Sequence, residues 1–451
     1  MNHNEQDRAQ FTTRIGVIAT TVGSAVGLGN IWRFPYEAGT HGGGAFLITY
    51  LCFIFAFGIP ILCAEFMMGR QTRSNIFGAF RKLQKSGRWH WVGYIGILAS
   101  LMILSFYSVV AGWTLEYLYQ SITGALAFTS QEQYHEQFMQ FSTNNWRPLM
   151  WTIIFLLINF FIVIRGVQKG IERMSNIMMP ALFIILILFC VNSLLMPGAA
   201  DGLRFLFTPD FSKIDSSVML GAMGQAFFSL SLGLGTMMTY ASYFSKETRI
   251  VRSATITACL DTLVAVLAGV IIFPAVFSFG VSPEQGPTLV FEVLPNIFNQ
   301  LPGSIFWSSL FFFLLFIASL SSTISMSEVS IAFFTEEKKM SRNKATCLNT
   351  AIALVFGSIC ALSFGCLSGF TICGQTVFSL FDYVSSNILL PAGGMFISFF
   401  AGWLLDRYII KKQLTNDGSV KVRVTKAIIF SLKYIAPIGI LLVFLSSLNI
   451  I

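Results

Sequence analysis

The sequence predicts an all-α polytopic membrane protein built as two inverted five-helix repeats, spans 1–5 and 6–10, with breaks in helices 1 and 6 and an eleventh helix appended. Three observations predict it. First, 55% of the 451 residues are hydrophobic and only 11% are charged. Soluble domains carry about 25% charged residues, and charge this sparse cannot cover the surface of so large a water-soluble body. Second, apolar stretches able to cross about 30 Å of hydrocarbon recur eleven times, with basic residues gathered in alternate connections. Third, matching glycine clusters interrupt the first and sixth stretches.

The stretches run Arg14–Phe34, Gly44–Met68, Val92–Gln120, Leu149–Ile164, Ile171–Met196, Val218–Tyr243, Ala254–Phe279, Ser304–Phe334, Ala345–Phe364, Gly374–Leu405 and Ala427–Leu448. The expected organisation is a cytoplasmic segment over 1–11, a first repeat over 12–196, and an extracellular loop over 197–217. A second, inverted repeat follows over 218–406, then a cytoplasmic loop over 407–426 and the last helix over 427–451. The first stretch has no small-residue cleavage site, so it reads as a span and not as a removable leader.

Orientation follows from the cations. Of the 29 Lys and Arg, only Arg33, Arg147, Arg204 and Lys213 fall outside when the N-terminus is placed inside; Lys433 lies near the inner end of the last stretch. Cytoplasmic loops collect Lys and Arg, so the chain is expected in the cell inner membrane with its N-terminus inside and its C-terminus outside. The net charge of +8 is thereby accounted for without nucleic acid as a partner. A lipid bilayer and a small molecule are the expected partners, with the chain a monomer or weak dimer.

No zinc-ligand spacing, nucleophile elbow or phosphate-binding GxxxxGK[ST] loop is present, which argues against an enzyme and against an ATP-driven engine in this chain. The eight Cys lie mostly in apolar stretches, where they act as small hydrophobes. Cys366 and Cys373 flank an outer turn, so a bridge between them is the alternative to packing.

The glycine clusters read Gly23-Ser24-Ala25-Val26-Gly27-Leu28-Gly29-Asn30 and Ser229-Leu230-Ser231-Leu232-Gly233-Leu234-Gly235-Thr236. Each opens a group of five spans, and an odd number per group inserts the second copy upside down. Gly disfavours helix by about 1 kcal/mol relative to Ala, so two in three residues favour local unwinding. Unwound backbone at membrane depth is tolerated only beside a polar cavity. There, freed carbonyls suit a cation and half-helix N-termini suit an anion. Either cluster alone reads more readily as close helix packing, Gly23 and Gly27 forming a small-xxx-small pair. The matched pair in inverted halves favours a site.

Intramembrane charges mark function, and the candidates are Arg33, Glu65, Glu116, Asp261, Glu328 and Asp382. Asp261, deep in the seventh stretch, needs a cation partner or a proton, and a hard, oxygen-seeking sodium ion suits it. Glu65 stands near Arg70, so an ion pair there is as plausible as a role in transport. Ala318-Ser319-Leu320-Ser321-Ser322-Thr323 offers a run of oxygens. Gly170 and Pro180 soften the fifth helix.

The stretch from Gly23 to Tyr36, Gly42 to Phe46, and Gly224 to Gly235 with Thr239 to Tyr243 resembles the signature of the neurotransmitter:sodium symporter family, in its bacterial eleven-span type. The resemblance implies a sodium-coupled importer of a hydrophobic or aromatic L-amino acid, working by alternating access with two Na+ ions. It implies a first sodium site at Ala25, Asn30, Ser229 and Asp261, and a second at Gly23, Val26, Ala318, Ser321 and Ser322. Substrate would be held by Ala25, Leu28, Gly29, Ile103, Tyr107, Phe228, Ser229, Ser231, Leu234, Ser322 and Met326. Arg8, Phe11, Ser242, Tyr243 and Glu336 match an inner gate; Arg33 and Asp382 match an outer one, Asp382 lying about a turn from the matched position and Ser385 nearer to it.

Two departures carry expectations. Many members hold chloride with residues matched by Tyr50, Gln225 and Ser229, but Asp261 stands where they often have Asn, so no chloride requirement is expected. Monoamine carriers place an Asp at the position of Gly27, so the substrate here must bring its own carboxylate. A proton-coupled carrier using Asp261, or a channel or receptor derived from the fold, are the alternative functions.

Overall fold

The computed structural model describes residues 9–84, 87–128, 130–280, 290–420 and 424–447. Within hydrocarbon every backbone N–H and C=O must be satisfied inside the segment, which leaves the helix as the answer for apolar stretches of this length. Eight continuous helices among the described residues are long and apolar enough to cross: Gly44–Thr72, His90–Ile122, Val167–Leu194, Ile250–Ser278, Ser304–Glu336, Arg342–Leu362, Val377–Leu404 and Thr425–Leu442.

The other three expected spans are present in interrupted or shorter form. The first is two helices, Arg14–Ala25 and Gly29–Thr40, bent by 53°. The fourth, Arg147–Val163, has 17 residues and is turned by 71° from the outer helix Gln131–Ser142, which Ser130 and Gln133 start with a capping box. The sixth is split into Ser216–Ser229 and Thr236–Ala241. The architecture is two inverted repeats of five spans with broken first and sixth members, followed by an eleventh span.

The third and eighth spans, corresponding members of the two repeats, have 33 residues each. At 1.5 Å per residue such a helix is about 50 Å long, so both tilt and extend past the hydrocarbon. They form the most extensive helix pair of the molecule and carry Tyr107 and Ser322 to its centre. The fifth span turns Ile177, Ile184, Leu188 and Val191 outward, where they are exposed, and Leu182, Leu186 and Phe189 inward.

Of the two positions expected to soften the fifth span, Gly170 lies within an irregular, π-helical Val167–Glu172 entered from Gly166 at φ 87°, whereas the helix continues through Pro180. That winding aims the buried Glu172 carboxylate at the start of the first span. It accepts from the Thr12 and Thr13 amides at 3.0 and 3.3 Å and from the Thr12 hydroxyl at 2.7 Å, an acid placed where a helix start favours one.

At the outer face, Thr371–Ile372 pairs antiparallel with Gln375–Thr376 across Cys373 and Gly374, both at positive φ, as a two-residue hairpin turn demands. All eight Cys are free, and Cys366 and Cys373 are exposed.

One ion pair ties the ends of four spans. Glu328, fully buried, accepts from Arg342 at 3.0 and 2.7 Å and from the Tyr243 hydroxyl at 2.7 Å, while Arg342 also donates to the Val163 carbonyl at 3.0 Å. Removing one partner of such a pair leaves an uncompensated charge at a cost of about 3–5 kcal/mol. Glu328→Ala is therefore expected to lower the thermal midpoint of the detergent-solubilised protein sharply, and adding Arg342→Ala to restore part of it. Melting curves of the two single variants and the double variant form the cycle that checks this; additive losses would contradict the pairing.

Candidate functional site at the paired helix breaks

The first break begins where Val26 leaves helical geometry (φ −66°, ψ 119°) while its N–H still closes on the Val22 carbonyl at 2.7 Å. Helix resumes, π-wound, at Gly29–Arg33. In the second break, Ser231, Gly233 and Gly235 take φ of 52°, 85° and 78°. Glycine adopts these values without penalty, whereas the left-handed Ser231 costs about 1–2 kcal/mol. At Gly233 a Cβ would also lie 2.5 Å from the Leu390 carbonyl.

The loosened backbone is stitched group by group. The Leu28 amide donates to the Tyr107 hydroxyl at 2.9 Å and the Gly27 amide to Asn30 Oδ1 at 3.0 Å. Gln225 donates to the Gly29 carbonyl at 2.8 Å. The Val26 carbonyl accepts from Ser321 and Ser322 at 3.3 and 3.1 Å, and the Ser24 carbonyl from Ser231 at 3.3 Å. Glu65, fully buried, accepts from the Gly233 and Met238 amides at 2.9 and 3.2 Å. It bridges the second break instead of pairing with Arg70, which donates to Gln413 and to the Thr248 carbonyl.

Asp261 lies where the two breaks meet. It is fully buried. Oδ1 accepts from Asn30 Nδ2 at 2.8 Å and Oδ2 from Ser229 Oγ at 2.5 Å, while Asn30 also reaches Ser229 Oγ at 2.9 Å. Tyr50 stands behind, 3.5 Å from Ser229 Oγ. Among the described residues no basic side chain forms an ion pair with Asp261. A carboxylate so placed requires a cation or a proton. The groups that meet there are a carboxylate, a hydroxyl and an amide side chain, and the carboxylate and hydroxyl oxygens are hard donors of the kind that suits an alkali ion. A second oxygen cluster surrounds the Val26 carbonyl, with Ser321 and Ser322 on it and Ser321 also on the Ala318 carbonyl at 2.9 Å.

Ten of the residues expected to hold substrate line one small cavity of about 20 Å³: Ala25, Gly29, Ile103, Tyr107, Phe228, Ser229, Ser231, Leu234, Ser322 and Met326. Leu28 approaches through its amide on Tyr107. The structure adds Gly27 and Leu390 to the walls. A Cβ on Gly27 would sit 2.5 Å from Ser322 Oγ and 2.8 Å from the Tyr107 oxygen, so no side chain fits there.

Above the cavity, Phe228 forms the roof with the Arg33 guanidinium 4.9 Å from its ring centre. Arg33 pairs with Glu37 at 3.4 Å. Asp382 accepts from Ser386 at 2.9 Å and forms no ion pair with Arg33, so those two residues stand apart. An outer space of about 200 Å³ lies over Phe228, bounded by Arg33, Leu220 and Pro391.

Below, the inner side is sealed. Phe11 packs its ring 6.0 and 5.9 Å from Tyr240 and Tyr243 and donates its amide to the Tyr243 carbonyl at 3.1 Å. Ser242 closes on the Thr239 carbonyl. Glu336 accepts from the Asn75 amide and side chain, both at 2.8 Å. Arg8 lies outside the described residues.

Comparison with known proteins decides the family. Residues 8–147 and 130–451 match the sodium:neurotransmitter symporter family. The chain is 39% identical over 449 residues, 99% of both chains, to the uncharacterized sodium-dependent transporter YhdH of Bacillus subtilis (strain 168). It is 27% identical to the sodium- and chloride-dependent taurine transporter of Bos taurus, over 88% of this chain and 71% of that one. The crystal structure of MhsT in complex with L-phenylalanine superposes with a TM-score of 0.90 at 44% identity, covering 98% of this chain and 100% of the other.

The chain belongs to the sodium:neurotransmitter symporter family. It is thus a multi-pass membrane transporter of sodium-dependent type, and this is not an enzyme family.

Within this symporter, sequence reasoning missed Leu390, whose approach across Gly233 only packing creates, and the bridging role of Glu65. A fully apolar context around a lone carboxylate was the available signal for Glu65. Glu65→Gln keeps the shape but turns an N–H group toward one of two donors, at about 1–3 kcal/mol. Hydrogen exchange in detergent should show residues 230–238 losing roughly tenfold or more protection, with the eighth span unchanged. Unaltered protection would contradict the bridging role.

Proposed function

We propose that this symporter imports a hydrophobic or aromatic L-amino acid with two sodium ions and without chloride. The observation that carries the reading is a fully buried, cation-free carboxylate, Asp261, set against Asn30 and Ser229 beside the cavity at the two helix breaks. One sodium takes Ala25, Asn30, Ser229 and Asp261. The other takes Gly23, Val26, Ala318, Ser321 and Ser322.

The substrate carboxylate occupies the space that Gly27 leaves open, within reach of the Tyr107 hydroxyl and the Leu28 and Gly29 amides. Its side chain meets Ile103, Phe228, Leu234, Met326 and Leu390. Burying a Leu- or Phe-sized group contributes about 1.5–3 kcal/mol, while an unpaired charge there would cost more. L-Phenylalanine bound to the similar MhsT supports this class. A cavity of about 20 Å³ is too small for such a side chain, so Phe228 swings toward the outer space as substrate enters and returns over it.

Sodium from outside binds first and neutralises Asp261. The amino acid completes the site, the roof closes, and the inner seal around Phe11 and Tyr243 then opens. A potential of 100 mV adds about 2.3 kcal/mol per charge moved.

Chloride is dispensable because the Asp261 carboxylate supplies a fixed negative charge beside Tyr50, Gln225 and Ser229. In proteoliposomes, sodium-driven uptake of phenylalanine or leucine should be the same in gluconate as in chloride. Asp261→Asn should lose roughly tenfold or more, about 1.4 kcal/mol of ion binding, in gluconate and regain it in chloride. Abolition of wild-type uptake by gluconate would exclude the reading, and uptake driven by a pH gradient without sodium would replace sodium with protons.

The N-terminus lies inside and the C-terminus outside, a placement that the distribution of cations supports. A membrane-impermeant maleimide should then label exposed Cys366 and Cys373 on intact cells, and the paired Ser substitutions should remove that label. Labelling only after permeabilisation would invert the topology.

A further inference from the structure

A cavity of about 450 Å³ lies away from the helix breaks. It is a crevice between the Arg14–Ala25 half of the first span, the fifth span and the start of the seventh. Its rim carries Arg14, Arg249 and Arg252 against a single carboxylate, Glu247, and its depth is apolar, ending at Val22, Phe183 and Leu260. The three arginines are exposed, and none forms an ion pair within 4.0 Å among the described residues.

The dimensions follow from helix geometry. From Arg14 to Val22, and from Arg252 to Leu260, eight residues rise about 12 Å. The crevice thus runs from the level of the cytoplasmic arginines into the hydrocarbon. Ile15 on its wall is 76% exposed and faces lipid. What reaches such a crevice in a bilayer is a lipid chain, and three guanidiniums at its mouth select a phosphate-bearing, net-negative head. Basic pockets between helices on the cytoplasmic side recognise anionic heads in this way, and Arg donates bidentately to phosphate.

We propose that this crevice binds one anionic phospholipid of the inner leaflet, its phosphate on Arg14, Arg249 and Arg252 and one acyl chain along Val22, Phe183 and Leu260. The occupant would lie against the Arg14–Ala25 helix on the side away from the third and eighth spans. It would steady that helix beside its anchors at Glu172 and Phe11, contacts that must loosen when the inner side opens.

The test equilibrates the purified full-length protein with phosphatidylcholine vesicles or with the same vesicles containing phosphatidylglycerol, then counts retained lipids by native mass spectrometry. One phosphatidylglycerol should be retained through delipidation where phosphatidylcholine is lost. Arg249→Gln with Arg252→Gln should weaken retention about thirtyfold, from about 1 kcal/mol per charge at 1.4 kcal/mol per tenfold. Ile18→Trp, which narrows the crevice and keeps every charge, should also weaken it, whereas Lys344→Gln with Lys411→Gln on other inner loops should not. Equal retention of the two lipids, equal loss in the lysine pair, an unaffected Ile18→Trp, or displacement by inorganic phosphate alone would each overturn the proposal. None of these readouts depends on transport.

Discussion

The constraint on which this molecule turns is that main-chain polar groups cannot be left bare at membrane depth. Two helices are nevertheless broken there, and much of the surrounding structure answers the consequences. Tyr107 takes the Leu28 amide, Asn30 the Gly27 amide, Ser321 and Ser322 the Val26 carbonyl, and Glu65 two amides of the second break. The breaks are therefore lined with oxygen-rich side chains, and hard oxygens of this kind suit an alkali ion.

Buried acids divide this labour by what they face. Asp261 faces hydroxyl and amide groups but no fixed cation, so its charge is available to a mobile one. Glu328 has a fixed partner in Arg342 and serves to hold inner helix ends together. Glu65 and Glu172 face backbone amides, one across the second break and one at the start of the first span. All four are carboxylates in the interior of a largely apolar protein, and their partners tell them apart: hydroxyl and amide groups, an arginine, or backbone amides.

The two ends of the central path differ in construction. On the outside, one aromatic ring, Phe228, with Arg33 over it, separates the cavity from a larger space. On the inside, Phe11, Tyr240, Tyr243 and the Glu328–Arg342 pair form a thick seal. The first rests on one ring, whereas the second rests on several contacts made together.

Composition and charge distribution determined the membrane class, the spans and the alternation of basic loops, because hydrocarbon imposes its demands on each segment separately. The glycine pairs at 27 and 29 and at 233 and 235 determined where helix would fail, since that preference is local. Asp261, alone among apolar neighbours, was legible for the same reason. Tertiary structure alone decided what lies across from each of these. It set Glu65 on the second break rather than on Arg70, and Glu37 beside Arg33 while Asp382 bonded Ser386. It brought Leu390 to the cavity wall and set the irregular winding of the fifth span around Gly170 and not at Pro180. Those outcomes depend on contacts between residues far apart in the chain, and such distances are fixed by the packing of whole helices, which no local pattern encodes.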